Sequence, residues 1–168
     1  MRFNLEYRFD ASVDDVLAAD LDPEYQSRLQ GLPNVAERTV TGLDQRPDGT
    51  VHRIVRYRFE GNLPGAVKAA IGGSNVSWDE IGDFDPSTNT WRVAIHPHVF
   101  HGRFVGRATM RYEPEGGGCR RVIDVEVTVK VPIVGGRVEK AIGDGLVETL
   151  QAESRILSAY LDERKGAA

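Results

Sequence analysis

The sequence predicts an α+β fold in which a curved antiparallel sheet of about seven strands wraps around one long C-terminal helix. Alternating apolar and polar residues begin near the N-terminus and return, from residue 35 onward, in segments separated by turn sequences. The last segment instead repeats apolar residues at helical spacing. A sheet with one apolar face and a helix with one apolar stripe bury both when they pack together, which favours this arrangement.

The N-terminal part predicts one strand and then two short helices. Apolar and polar residues alternate over positions 3–9, which is the period of a strand with one buried face. Ser12 has the residue type preferred at a helix N-cap, and acidic residues follow in the first turn. Asp22 is a second N-cap candidate, because Pro23 follows at the first helical position, where its missing N–H costs nothing.

Turn sequences at 46–50, 85–89 and 114–119 divide the middle of the chain into hairpins. Each is rich in residues that reverse the chain direction, such as Gly, Pro, Asp and Asn. The predicted strands around them are VHRIVRYRFEG, VSWDEIGDF, TWRVAIH, FVGRATMRY and RRVIDVEVTVKV. The last of these alternates β-branched residues with polar ones, so one face of the sheet is expected to meet water.

The C-terminal segment predicts a long helix from Pro132 to Lys165, with an apolar stripe on one side and charged residues on the other. Gly143 and Gly145 lie inside this helix, where each costs about 1 kcal/mol relative to Ala. Gly145 is expected on the apolar stripe. Its missing Cβ either makes room for a ligand or lets the helix approach the sheet.

A chain of 168 residues has the length of one domain, which we expect to span residues 1–165, followed by a tail at 166–168. The net charge of −4 argues against nucleic-acid binding, which needs clustered Lys and Arg. The single Cys119 cannot form an internal disulfide. With no signal sequence or long apolar run, the sequence predicts a cytoplasmic protein without integral membrane association, and it leaves the oligomeric state open.

Two segments carry a resemblance to a known superfamily. The start MRFNLEYRFDAS, and the closing VKVPIVGGRVEKAI with its valine-rich strand, proline and glycine pair, resemble the START-like helix-grip superfamily, over an element order that covers nearly the whole chain. This superfamily is also called SRPBCC, birch-pollen-allergen-like or polyketide-cyclase-like, and the closing segment resembles an uncharacterised SRPBCC family in particular. The resemblance implies a helix-grip fold with a hydrophobic ligand between sheet and helix, and some members are cyclases or dehydratases.

Strand parity and this resemblance together select candidate ligand-binding residues. Residues two apart on a strand share a face, and the apolar parity marks the inside. The candidates are Arg53, Val55, Tyr57, Phe59, Trp78, Glu80, Trp91, Val93, Phe104, Ala108, Met110 and Tyr112 on the strands, with Ile142 and Gly145 on the helix. The alternative is that these side chains fill a solid core, as aromatic stripes commonly do.

Glu80 and Tyr57 are the candidate catalytic residues. Glu80 shares the parity of its apolar strand neighbours and is therefore expected to point inward, where a carboxylate needs a partner. If strand 51–60 pairs with strand 75–84, Tyr57 or Arg53 lies within reach, and burial raises the Glu80 pKa unless Arg53 opposes it. Glu80 is then an acid or a ligand anchor. The alternatives are a structural pair, or a side chain turned to solvent by a bulge.

His96, His98 and His101 lie close together at the end of a predicted strand. His96 and His98 have the parity opposite to the apolar residues of that strand, so we expect them to face solvent. A catalytic zinc site needs three protein ligands, and His101 lies across a turn. We therefore predict no metal site.

The segment 63–74 joins two strands by an unusually long connection. Such connections are often lids, and we expect either a cover over the cavity mouth or a plain surface excursion. Its Gly72 and Gly73 do not form a phosphate-binding loop, because the Gly-Lys-Ser/Thr ending is absent. We expect no cofactor.

Three functions fit these observations. The first is a carrier or sensor that encloses a hydrophobic small molecule, such as a lipid or a polyketide-like compound. The second is an enzyme of cyclase or dehydratase type, in which Glu80 or Tyr57 moves protons in the same cavity. The third is a protein with a filled core that acts through surface contacts with a partner.

Overall fold

Seven strands and a long C-terminal helix make up most of the structure, a computed structural model that describes residues 1–60, 65, 76–99, 102–133 and 135–166. In chain order the elements are β1 (Arg2–Phe9), α1 (Val13–Leu21), α2 (Pro23–Arg28), a 3-10 turn (Leu29–Gly31), β2 (Val35–Gln45), β3 (Val51–Phe59), β4 (Ser77–Asp85), β5 (Thr90–Pro97), β6 (Phe104–Glu115), β7 (Gly118–Val129) and α3 (Gly135–Gly166). The α+β fold class predicted from the sequence is confirmed.

Both short helices begin at the residues that their capping signals predict. The Ser12 side chain accepts a hydrogen bond from the Asp15 backbone N–H at 3.1 Å, which satisfies one of the first N–H groups of α1. Asp22 caps α2 in the same way, accepting from the Glu24 N–H at 2.8 Å. Pro23 occupies the start of α2, where no hydrogen bond is lost.

The strands form one antiparallel sheet in the order β1-β7-β6-β5-β4-β3-β2. From β2 to β7, each strand is therefore the neighbour of the next in sequence. β1 closes the arrangement by pairing with β7, from Arg2 opposite Glu126 to Phe9 opposite Cys119. As a result β7 lies between two strands, while β1 and β2 form the edges of the sheet.

The two faces of the sheet differ in chemistry. The outer face carries cross-strand ion pairs, such as Arg56 with Asp79 at 2.8 Å and Arg111 with Asp124 at 2.7 Å. The inner face carries Ile123, Val125, Val127 and Val129 of β7, which pack with Val138 of α3. This alternation is the one that the period-two pattern of the strands predicts.

The helix α3 begins at Gly135 rather than at the predicted Pro132. Ile133 has a φ of 69°, which a helix does not accommodate, and Pro132 and Ile133 form a turn. Gly143 packs against β1, since a Cβ there would overlap the Met1 Cε, whereas a Cβ at Gly145 would meet no described atom within 4 Å. Among the helices of the described ranges, none is long and apolar enough to span a membrane.

Candidate functional site

A cavity of about 80 Å³ lies between the inner face of the sheet and α3. Strands β2 to β7 supply the sheet side of its wall, and Leu146 and Leu150 of α3 close the opposite side. Leu29 of the 3-10 turn reaches the same space. Asp20 of α1 also lines it, so the segment between β1 and β2 helps to form the cavity together with the sheet and α3.

Half of the candidate ligand-binding residues line this cavity. They are inner-face residues of four neighbouring strands, namely Arg53, Val55, Tyr57, Glu80, Val93, Ala108 and Met110. The pairing of β3 with β4 places Val55 opposite Glu80, and the pairing of β5 with β6 places Val93 opposite Ala108. Their predicted role in binding a ligand remains a prediction.

Five aromatic candidates lie outside the cavity wall, and four of them pack against other side chains. Trp91 lies over Gly82, whose missing Cβ leaves room for the indole ring. Tyr112 is buried in the same core cluster as Trp91. Phe104 packs against the core formed by β7 and α3. Trp78 stacks on Tyr57, with ring centroids 5.1 Å apart and planes tilted by only 2°.

The remaining three candidates also lie outside the wall. Phe59 pairs with Val35 at the end of β3. Ile142 packs against the core cluster of β7 and α3. Gly145 does not line the cavity, and the close approach of helix to sheet that we considered for it occurs at Gly143.

Three charged residues of the wall were missed from the sequence, namely Asp20, Arg38 and Glu153. Glu153 follows Leu150 and Leu146 by three and seven positions, which is the spacing of one helix face, so the apolar stripe of α3 contained a signal for it. For Arg38 the sequence holds no such signal. Register shifts in β2, between Val35 and Glu37 and between Val40 and Gly42, break the parity that would have placed it.

Arg53 and Asp20 form a buried ion pair at one side of the cavity. A terminal nitrogen of Arg53 lies 3.5 Å from Asp20 Oδ2, and the other donates to the Asp20 backbone carbonyl at 3.0 Å. The guanidinium also lies 4.6 Å from the centre of the Trp91 ring. Burial alone would lower the Arg53 pKa, but Asp20 and nearby tyrosines raise it. Arg53 therefore stays charged.

A second buried pair joins β7 to α3. Arg121 is 0% exposed, and its Nη1 donates to Glu153 Oε1 at 2.8 Å. The rings of Tyr7 and Phe9 each lie 5.3 Å from its guanidinium carbon. Arg121 has the parity of the inward residues of β7, so this inward direction follows the alternation of the strand.

Glu80 and Arg38 belong to a chain of side chains across β2, β3 and β4. Arg38 Nε donates to the Tyr57 hydroxyl at 3.1 Å, Tyr57 stacks on Trp78, and Trp78 Nε1 donates to Glu80 Oε1 at 3.1 Å. Sequence reasoning proposed Tyr57 or Arg53 as the partner of Glu80. The structure gives Trp78 instead, because residues two apart on one strand share a face.

Burial raises the pKa of Glu80 above its ordinary value of 4.5. The hydrogen bond from Trp78 and the positive charge of Arg38 oppose this effect but do not cancel it. Burial likewise raises the pKa of the Tyr57 hydroxyl. The cavity therefore contains a carboxyl group that holds its proton more strongly than a carboxyl group in water.

His96 and His98 lie on the opposite side of the sheet from the cavity. The His98 ring is hydrogen-bonded to Ser77 Oγ at 2.8 Å and to Asp79 Oδ2 at 3.2 Å. Arg56 forms a salt bridge with the same aspartate. This Ser–His–Asp network lies on the outer face, away from the cavity wall.

His101 and the predicted lid at 63–74 fall outside the described residues, apart from the isolated Gly65. Within the described ranges, no three His, Cys, Asp or Glu side chains are grouped to hold a metal ion.

Comparison with known proteins identifies a family and a fold. A family described as "Protein of unknown function (DUF2505)" matches residues 4–161. An uncharacterised protein of Mycobacterium tuberculosis (strain ATCC 25618 / H37Rv) is 25% identical over 169 residues, which covers 95% of each chain.

Solved structures of similar fold cover nearly the whole chain. A protein from Thermus thermophilus has a TM-score of 0.69 at 18% identity, over 98% of this chain and 99% of that chain. A START superfamily protein from Mycobacterium smegmatis has a TM-score of 0.59 at 17% identity, over 96% and 97%. The Zhui aromatase/cyclase from a Streptomyces species has a TM-score of 0.64 at 10% identity, over 98% and 94%.

At these identities the solved structures establish the fold alone, because one fold hosts many functions. They confirm the helix-grip fold that the resemblance of the terminal segments implies. Since the family match spans residues 4–161, the chain belongs to the DUF2505 family and has the START-like helix-grip fold.

Proposed function

We propose that this protein binds a compact apolar molecule in the cavity between the sheet and α3, as a carrier or sensor. The observation that carries the proposal is a cavity whose wall is mostly apolar but includes almost fully buried charges, with Arg38 only 4% exposed and Asp20 only 6%. Ligand pockets combine these two features, because apolar walls supply affinity and a few polar groups fix orientation. The START-like fold supports the same function, since lipids and polyketide-like compounds are the ligand classes that the resemblance suggests.

Apolar burial is the expected source of affinity. Val93, Ala108, Met110 and Leu150 present hydrocarbon to the cavity from opposite sides. Each Å² of apolar ligand surface removed from water contributes about 25 cal/mol. Asp20 supports an additional polar contact, because its buried Oδ2 has the ion-pair contact with Arg53 at 3.5 Å but no hydrogen bond from a described residue, and buried polar atoms are normally satisfied.

The size of the cavity limits the ligand. Its volume of about 80 Å³ is well below the roughly 300–1,000 Å³ of pockets that enclose drug-sized molecules. Even benzene occupies an engineered cavity of about 150 Å³ in another protein. We therefore propose a guest of at most about one ring. Even a one-ring guest requires the wall to move outward, and a larger lipid or polyketide requires it to move further.

The proposal is tested by titrating the methyl-labelled protein with benzene, toluene and 1-methylnaphthalene while recording methyl NMR spectra. We expect saturable shifts of the Ala108, Met110 and Ile123 methyl signals with the smaller probes. Ala108→Phe fills the cavity and should abolish the shifts of Met110 and Ile123. Ala94→Phe is the matched control, because Ala94 faces outward on the neighbouring strand, opposite the exposed Arg107.

Two results would contradict the proposal. If no probe shifts the cavity methyl signals of the wild-type protein, the cavity does not take up small apolar molecules and the proposal fails. If Ala94→Phe weakens probe binding as much as Ala108→Phe does, the probes bind outside the cavity.

An enzyme that transfers protons in this cavity is the second candidate function. The observation in its favour is the raised pKa of Glu80, because catalytic carboxyl groups are commonly tuned by burial. A ligand released from the purified protein and identified by mass spectrometry would supply the substrate for a turnover assay. In that assay Glu80→Gln should bind the ligand normally and lose turnover, and unaltered turnover would exclude Glu80 from the reaction.

A further inference from the structure

Among the described residues, one of the cations around the cavity, Arg38, forms no salt bridge. Arg53 is paired with Asp20 at 3.5 Å, and Arg121 is paired with Glu153 at 2.8 Å. Arg38 forms no salt bridge with any residue that the structure describes, although it is 4% exposed and lines the cavity. A buried charge without a partner is costly, so its presence indicates a use.

The two terminal nitrogens of Arg38 are available to bind a ligand. Its Nε donates to the Tyr57 hydroxyl at 3.1 Å, which holds the guanidinium against a ring that is itself stacked on Trp78. Its two terminal nitrogens have no hydrogen-bond partner within the described part of the chain. A fixed guanidinium with two free, parallel N–H groups matches a carboxylate, which accepts both bonds at once.

Glu80 also lies on the cavity wall, and its carboxylate form repels an anion bound at Arg38. It forms no salt bridge with Arg38 and accepts a hydrogen bond from Trp78 instead. Burial raises the Glu80 pKa, which favours the neutral carboxyl group and so weakens the repulsion. The neutral group can also donate an O–H bond to a carboxylate oxygen. The other two carboxylates of the wall, Asp20 and Glu153, are already paired with arginines.

We infer that Arg38 binds the carboxylate of the ligand, so that the molecule held in this cavity is a compact apolar carboxylic acid. Its charged end lies at Arg38, and its apolar body lies between β6 and α3, against Ala108 and Leu150. This inference rests on the proposed binding function and specifies the chemical class of its ligand.

Three one-ring probes, one negative, one neutral and one positive, test this inference. The wild-type protein is titrated with benzoate, benzamide and benzylamine by the same methyl NMR method. A charge-assisted bidentate contact should make benzoate bind about 10-fold or more tightly than benzamide. Benzylamine should bind more weakly than benzamide, because Arg38 repels its ammonium group.

Variants of Arg38 assign the preference to that residue. Arg38→Gln should bring the benzoate and benzamide affinities to within about 2-fold of each other, while Arg38→Lys retains part of the preference because it keeps the charge. Arg56→Gln is the matched control, since Arg56 lies on the outer face of the neighbouring strand and pairs with Asp79. It should leave the preference unchanged.

The outcomes separate this inference from the proposed function. If toluene binds but benzoate binds no better than benzamide, the inference is wrong and the binding function stands. Tighter binding of benzylamine would also overturn it, because Glu80 would then select the charge. If neither toluene nor any of the charged series binds in the cavity, both proposals fail. The wild-type series decides the question even if Arg38→Gln does not fold.

Discussion

At the scale of single residues, the chemistry of the cavity depends on which buried charges have partners. Asp20 and Glu153 each pair with an arginine, whereas among the described residues Glu80 accepts a hydrogen bond only from the indole N–H of Trp78. An indole bond compensates a carboxylate far less than a guanidinium does, so burial dominates and the Glu80 pKa rises. Because of this difference, the contribution of Glu80 to the stability of the folded protein depends on pH.

We predict that Glu80 makes the folded protein less stable as pH rises. Because its folded-state pKa lies above the ordinary 4.5, the folded state holds this proton longer than the unfolded state does. The contribution of Glu80 to the unfolding free energy therefore falls as pH rises from 4.5 through the folded-state pKa. Urea unfolding from about pH 4 to about pH 8 should show Glu80→Gln gaining stability relative to the wild type across that interval and then levelling off.

A second variant checks the sign of this effect. The hydrogen bond from Arg2 lowers the pKa of Glu126, so this carboxylate stabilises the fold above its ordinary pKa and loses that contribution as pH falls. Glu126→Gln should therefore lose stability relative to the wild type as pH rises. A Glu80→Gln difference that does not change with pH would show that the Glu80 pKa is not raised.

We further predict that removing one partner of the Arg121–Glu153 pair lowers the unfolding free energy strongly, whereas replacing both partners by apolar residues changes it little. Glu153→Ala leaves the fully buried Arg121 uncompensated and should lower the unfolding free energy by about 3 kcal/mol, the low end for such pairs because the Glu153 side chain is 19% exposed. The double variant Arg121→Met/Glu153→Leu should be closer to the wild type. An equal loss in both, measured by urea unfolding, would assign the cost to packing.

At the scale of elements, regular segments follow their sequence patterns and irregular ones do not. The caps of α1 and α2 act within a few residues, so their start points were predictable from Ser12 and Asp22. The inward direction of Glu80 was predictable because β4 alternates without interruption. The inward direction of Arg38 was not predictable, because the register shifts of β2 depend on pairing with β3.

The two glycines of α3 provide a prediction at this scale. Gly145→Ala should raise the unfolding free energy by about 1 kcal/mol, because alanine favours the helix and no described atom lies within 4 Å of the new methyl group. Gly143→Ala should gain less or lose stability, since Met1 must move to accommodate its methyl group. Thermal unfolding of both variants measures the difference, and equal effects would contradict the contact between α3 and β1.

At the scale of the whole molecule, β7 is the strand that joins the sheet to α3. It pairs with β1 on one side and β6 on the other, and it packs against α3. We predict that the amides of Ile123, Val125 and Val127 exchange hydrogen most slowly, while edge strand β2 exchanges fastest among the strands. Hydrogen-exchange NMR measures both, and exchange in β7 as fast as in β2 would show that β7 is not the stable centre.

By itself, the sequence determined the order and type of the elements, the inner and outer faces of the regular strands and the family resemblance, because periodicity, caps and turns act over short distances along the chain. Only the tertiary structure decided which inward residues meet at a cavity and which fill the core. It alone brought Arg38 of β2 onto the wall that Glu80 of β4 and Glu153 of α3 also line. The physical reason is that partners for buried charges come from strands and helices far apart in sequence, whose contacts no local pattern encodes.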